Sequence, residues 1–254
     1  MDKKLSDVYY SPRGYQKVLG AVEALYKITK VPKPKIKEWL KKQALWQIYL
    51  PPPQDVPRPA SSLSLVQEPN DTHQADLLYL PHDTVRRKTY KYALTVVDEA
   101  SRYKQAEPLT DKTASQVAEA FTKIYKRSPL KWPRVIKVDP GKEFMASVNV
   151  LFKNKKTQIQ RGETGNHRAQ GIVERFNRTL AERLFGHQYA QEMTNPHERS
   201  REWVSRLPDV LKALNGEKTR LIGHTPNDAI KLEHVALKRA HVLHRAPTKK
   251  QFSS

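Results

Sequence analysis

The chain has 254 residues, with 46 Lys or Arg against 26 Asp or Glu, a formal net charge of +20 and a pI near 10. That length suits one medium domain with one or two small ones, and that charge draws a polyanion, nucleic acid first among partners. The lack of cysteine excludes disulfides and cysteine-containing zinc fingers, while no apolar run approaches the ~20 residues of a membrane span and no signal peptide opens the chain, so a soluble, intracellular protein without a membrane partner is expected.

Residues 1–50 read as a small helical, helix-turn-helix-like domain. Ser11-Pro12 looks like a helix start, followed by Tyr15, Val18, Leu19, Val22 and Leu25 at helical spacing. The run Val31-Pro32-Lys33-Pro34 breaks that pattern, and Ile36, Trp39, Leu40 and Ala44 then mark a second helix. The segment carries eleven Lys or Arg against four Asp or Glu. Lys35, Lys37, Lys41 and Lys42 are its candidate DNA contacts, and a merely solvated helix face is the competing reading. Residues 51–70 are rich in proline and read as an extended linker.

From residue 71 strand and helix signals alternate. HQADLLYL, YKYALTVVD and YKQAEPL predict three strands, and Val117, Phe121 and Ile124 predict a helix between Thr113 and Arg127. RVIKVD predicts a fourth strand, ending in a polar turn at Pro140-Gly141, and TQIQR a fifth. The loop GETGNHRAQG, with three glycines, reads as mobile, and its His167 as solvated. A long helix then starts near Ala169, with Val173, Phe176, Leu180 and Leu184 as its buried stripe. The expected class is α/β: a mixed five-stranded sheet with helices on its faces, spanning 71–232. Trp203, Leu207, Val210, Leu211 and Leu214 continue it as helix, which Pro208 is expected to kink or split. His224 precedes a Thr225-Pro226 helix start. Residues 233–254 form a basic tail whose His234, His241 and His244 read as solvated.

Three acids carry the chemistry. Asp76 interrupts an apolar strand, Asp139 stands where RVIKV ends, and Glu174 edges the buried stripe of the long helix. Phosphoryl transfer by two metal ions needs carboxylates that converge from distant parts of a chain on hard cations. Each acid also has an ordinary explanation: Asp139 as a turn residue, Glu174 as a partner of Arg178. Asp98, at a strand end, competes with Asp76 for the ligand role.

The ordered set QADL, VDPGKEF and AQGIVERFNRTL resembles the catalytic core of DDE-type, retroviral-like integrases, and the 35-position step from Asp139 to Glu174 is close to that family's spacing. YALTVVDEASRY, VERFNRTL and KVPKPKIKEWLKKQALWQIY look most like integrases of Polinton (Maverick) transposons. The resemblance implies an RNase H-like core in which Asp76 bridges two Mg²⁺ or Mn²⁺ ions and Asp139 and Glu174 each complete one. It implies an enzyme, a polynucleotidyl transferase with nuclease and strand-transfer activities. Its partners would be transposon ends and target DNA, and it would act as a homo-oligomer in the host nucleus. Gln170, Asn177 and Arg178 match positions that touch DNA, and Glu143 matches an acid that either assists or caps a helix. The chain departs from retroviral integrases in lacking their His₂Cys₂ zinc domain, and the 22 residues after Leu232 are too few for a chromodomain or barrel. A catalytically silent DNA-binding descendant and an RNase H-type nuclease remain the alternatives.

Overall fold

The computed structural model describes residues 2–11, 21–43, 46, 68–162, 170–194 and 202–237. Helices α1 (Asp2–Tyr9), α2 (Ala21–Thr29) and α3 (Lys33–Lys41) bury Leu5, Tyr9, Ala21, Leu25, Ile36, Trp39 and Leu40 together. Tyr9 meets Trp39 edge to face with ring centroids 5.6 Å apart, and Tyr10 Oη donates to Gln43 Oε1 at 2.8 Å. The sequence pattern did not anticipate α1. The expected helix start at Pro12 lies outside the described residues, as do 51–67 of the expected linker. The expected break at 31–34 is shorter and earlier in the structure: Lys30 takes φ 57°, and α3 begins directly after Pro32, so that Lys33 and Pro34 belong to its first turn. Lys35, Lys37, Lys41 and Lys42 are all exposed there.

The second body is a five-stranded sheet of order β3-β2-β1-β4-β5. β1 (Thr72–Val85), β2 (Lys88–Asp98) and β3 (Lys104–Leu109) are antiparallel, and β4 (Val135–Val138) and β5 (Gln158–Arg161) run parallel to β1. This is the expected mixed sheet. β1 runs five residues past the expected Leu80, through an irregularity in register between Tyr79 and Asp83. Pro108 is tolerated because β3 is the sheet's edge.

Side chains alternate along the strands, so each face builds its own core. On one face Ala75, Leu94, Val96, Ile136 and Val138 pack against α4 (Ala114–Arg127), which supplies Val117, Phe121 and Ile124 at helical spacing. Thr113 caps α4 by accepting from Gln116 N. A short 3₁₀ turn (Lys142–Phe144) and α5 (Ser147–Asn154), neither of them anticipated, complete that layer with Phe144, Val148 and Phe152. On the other face Leu80, Ala93, Val97 and Ala106 meet α6 (Gly171–Thr194) and α7 (Trp203–Gly216). The buried stripe of α6 is Val173, Phe176, Leu180 and Leu184, as its spacing predicts. Burying side chains of that size contributes about 2 kcal/mol each, which holds α6 against the sheet.

Pro208 does not split α7, which runs through it unbroken to Gly216. Pro208 is exposed and sits in the helix's second turn, while Trp203, Leu207, Val210, Leu211 and Leu214 anchor the turns on both sides of it. A last turn, α8 (Pro226–Ala229), starts at Thr225, whose Oγ1 accepts from Asp228 N. Among the described residues, no helix is long and apolar enough to cross a membrane.

Candidate active site

The parallel pairing of β1 with β4 sets Thr72 beside Val135, His73 beside Ile136 and Gln74 beside Lys137. Carried two residues further in the same register, it brings Asp76 abreast of Asp139, just beyond the end of β4. Gln74 and Asp76 share the strand face that packs on α6, because Ala75 and Leu77 belong to the opposite core. Glu174 lies in the first turn of α6, exposed, where the helix's partial positive charge favours a carboxylate.

Asp76 is the half-buried member of the set, whereas Asp139 and Glu174 are exposed. Its Oδ1 accepts from Leu77 N at 2.7 Å, its Oδ2 accepts from Asn177 Nδ2 at 2.7 Å, and its backbone carbonyl accepts from Thr95 Oγ1 at 3.1 Å. Burial pushes its carboxyl up to about 6, and the charges of Asp139 and Glu174 push the same way, against the two hydrogen bonds. Asp139 and Glu174, the latter 98 positions away in sequence, thus act on Asp76 through space. Among the described residues, no three His, Asp or Glu side chains stand close enough, as they are, to grip a metal ion. The donor set still fits one: three carboxylates with no basic partner among the described residues, beside a buried Asn177 Oδ1 that makes no hydrogen bond among them. A divalent cation would supply the countercharge that Asp76 lacks.

Asp98, the competing ligand, is fully buried at the end of β2 and already occupied. Its Oδ1 accepts from Asn70 N at 2.8 Å, and its Oδ2 accepts from Ser101 N and Oγ at 2.7 and 2.5 Å. His73 Nε2 lies 3.4 Å from Oδ1, and these partners hold the carboxyl below its ordinary range despite burial. Asp98 fastens the turn from β2 to β3.

Among the described residues Glu174 and Arg178 form no ion pair; the exposed Arg178 acts instead on Glu182. Asn177 is buried, at 7% exposure, and its amide faces Asp76. Gln170 is buried as well, and among the described residues its Nε2 makes no hydrogen bond. Glu143 folds back over Gly141, where an added Cβ would come within 2.5 Å of its Cδ. It lines a shallow pocket with Lys112, Thr113, Ala114 and Lys142 and is not among the charges that act on Asp76. His167 lies outside the described residues, as do His241 and His244; His224 and His234 are exposed.

Sequence reasoning missed Gln74. Its Oε1 accepts from Ile172 N at 3.2 Å and Val173 N at 3.0 Å, so a strand side chain takes up first-turn amides of the Glu174 helix. The available signal was its place two residues before Asp76.

Residues 66–167 match the model of the integrase core domain, a span that holds Asp76 and Asp139 but not Glu174. No curated protein matches the sequence. Among solved structures, the chain is similar to a chain of the simian T-cell lymphotropic virus intasome in complex with the PP2A regulatory subunit B56 gamma. That match has 17% identity and a TM-score of 0.56, and it covers 92% of this chain and 79% of the other. The magnesium-bound catalytic core domain of HTLV-2 integrase has 18% identity and a TM-score of 0.48, covering 64% of this chain and 97% of the other. The catalytic core domain of BIV integrase has 23% identity and a TM-score of 0.47, covering 63% and 92%. The sheet with its two helical layers is thus the RNase H-like fold of a retroviral integrase catalytic core.

Proposed function

We propose that this chain is a DDE-type integrase that trims the 3′ ends of transposon-like or viral-like DNA and joins them to target DNA. The observation that supports the reading is the parallel register of β1 and β4, which brings Asp76 abreast of Asp139, with Glu174 in the first turn of the helix packed on the same face of the sheet. Asp76, Asp139 and Glu174 would hold two Mg²⁺ or Mn²⁺ ions. When bound, such ions lower the pKa of an attacking water or hydroxyl and neutralise charge on the phosphate. In trimming, a P–O bond to water forms as the bond to the 3′ oxygen breaks, leaving a 3′ hydroxyl. In joining, that hydroxyl forms a new P–O bond while the target's own 3′ oxygen leaves, so the number of phosphodiesters is conserved.

The chain's share is placement. Asp76 is fixed by Asn177 and Leu77, Asp139 by the end of β4, and Glu174 by a helix pinned to the sheet through its apolar stripe. Arg178, exposed one turn past Glu174, is placed to meet a phosphate, which adds affinity without reading sequence. Lys35, Lys37, Lys41 and Lys42 offer a second exposed cationic surface. Gln170 and Asn177 are buried as the chain stands, so contact with DNA would require both to turn outward. Two DNA ends call for more than one copy of the chain, and the resemblance to transposon integrases favours the nucleus of a host cell as the place of action. The quoted sequence phrases favour a transposon of the Polinton type.

The test is a labelled duplex end incubated with Mg²⁺ and the full chain. Joined products are expected from the wild type and none from Asp139→Asn. Joining that survives the substitution would overturn the reading. Cleavage of RNA in hybrids without joining would identify an RNase H-type nuclease. Binding without Mg²⁺-dependent chemistry would identify a silent DNA-binding protein.

A further inference from the structure

Directly behind the three acids lies a second, buried polar group. Gln74 and Lys137 are register partners on β1 and β4, two residues before Asp76 and Asp139 respectively, and so on the same sheet face as those acids. Both reach Glu99, which lies just past the end of β2. Gln74 Nε2 donates to Glu99 Oε1 at 2.7 Å, and Lys137 Nζ donates to the same oxygen at 2.8 Å. The Glu99 side chain is fully buried, Gln74 is 2% exposed and Lys137 keeps 23% of its side chain exposed. The other end of the Gln74 amide accepts from Ile172 and Val173, the two residues immediately before Glu174.

This arrangement admits one orientation of the amide. An ionised carboxylate only accepts, so Nε2 must face Glu99; backbone N–H groups only donate, so Oε1 must face the helix. A flipped amide would set an oxygen against a carboxylate and an NH₂ against two N–H donors. Lys137 fixes Glu99 from the strand that carries Asp139, and Gln74 fixes the helix from the strand that carries Asp76. β1 and β4 are thus tied directly to one buried oxygen, Glu99 Oε1, and the Glu174 helix is tied to it through the Gln74 amide.

We propose that Gln74, Glu99 and Lys137 are positioning residues, a relay that sets the Glu174 helix against the strands of Asp76 and Asp139 and thereby tunes the grip of the three acids on a divalent cation. The inference rests on the integrase reading and extends it to residues that touch neither metal nor DNA. Partners behind a metal's ligands typically alter affinity by about ten- to a hundredfold when removed.

The test uses the full chain and two readouts. In metal-free protein, Gln74→Leu should speed amide exchange at Ile172 and Val173 about tenfold or more while leaving the amides of α4 unchanged. In a Mg²⁺ titration followed by thermal melting, the same variant should need about ten- to a hundredfold more Mg²⁺ for half of the full shift. Glu99→Leu should do the same, and Glu99→Gln, which keeps an oxygen for both donors, should recover part of the loss. Should those variants fail to fold, Lys137→Met at the partly exposed end of the relay should still weaken Mg²⁺ binding. A lowered melting temperature with an unchanged Mg²⁺ midpoint would make the trio merely structural and overturn the proposal. Wild-type protein that takes up no Mg²⁺ would remove the integrase reading and this one together; wild-type uptake matched by Gln74→Leu would remove this one alone.

Discussion

Asn177 Nδ2 donates a 2.7 Å hydrogen bond to Asp76 Oδ2, joining two residues 101 positions apart in sequence. The bond favours the ionised carboxylate at a place where burial and two neighbouring acids oppose it. Asn177→Leu should therefore lift the Asp76 carboxyl above about 6, by roughly one unit, the worth of a charge-assisted hydrogen bond. The fold should be little affected, since the buried Asn177 Oδ1 has no partner to lose. An NMR titration of the Asp76 carboxyl in metal-free protein reads this directly, and an unmoved or lowered midpoint would refute it.

The same carboxyl sets a pH dependence. Asp76 has its folded value raised to about 6 from an ordinary 3.8, so the folded chain holds that proton more tightly than the unfolded chain. Its contribution to stability is fully present below about 3.8 and is lost as pH climbs through about 6. Across that window, metal-free wild type should lose on the order of 2–3 kcal/mol relative to Asp76→Asn. Mg²⁺ should restore stability above pH 6 and do little near pH 4, because the metal needs the ionised form. Denaturant unfolding of both proteins at several pH values checks this. Parallel pH curves would show that Asp76 titrates in its ordinary range.

The hairpin between β1 and β2 carries avoidable strain. Val85 pairs with Lys88, so the turn consists of Arg86 and Arg87 alone, at φ 47° and 66°. Both occupy the left-handed region, in the two-residue turn where Asn-Gly is the favoured pair. Arg86→Asn combined with Arg87→Gly should stabilise the chain by about 1–2 kcal/mol. A lower melting temperature for the double variant would show that the arginine side chains contribute more than the backbone loses.

Strands β2 to β5 were legible because each is an apolar or alternating run bounded by turn residues; RVIKVD reads as strand and strand end in a single phrase. The stripe of α6 was legible because Val173, Phe176, Leu180 and Leu184 keep helical phase. In α5 only Val148 and Phe152 are buried, too few for a period to show. Asp76 and Asp98 look alike in sequence, since both are acids on apolar strands, and their different surroundings follow from register and the Ser101 turn. Gln74, Glu99 and Lys137 left no periodic trace, because polar contacts across up to 99 positions follow the sheet's pairing and not the local sequence.

β1 also holds α7, at the far end of the same strand. Glu202, the cap residue of α7, makes no side-chain capping bond. Instead Asp83 Oδ2 of β1 accepts from Val204 N at 2.8 Å, and Trp203 Nε1 donates to Pro81 O at 2.7 Å. The register irregularity between Tyr79 and Asp83 precedes this contact on the strand. Asp83 is 4% exposed, so its loss leaves a partly buried helix amide without its acceptor. Asp83→Ala should cost about 1–2 kcal/mol, read as a lower urea midpoint at unchanged slope. Asp83→Asn, which keeps an acceptor, should recover most of that loss. Equal stability of the two variants would mean that Trp203, buried between helix and sheet, holds the start of α7 without help from the cap.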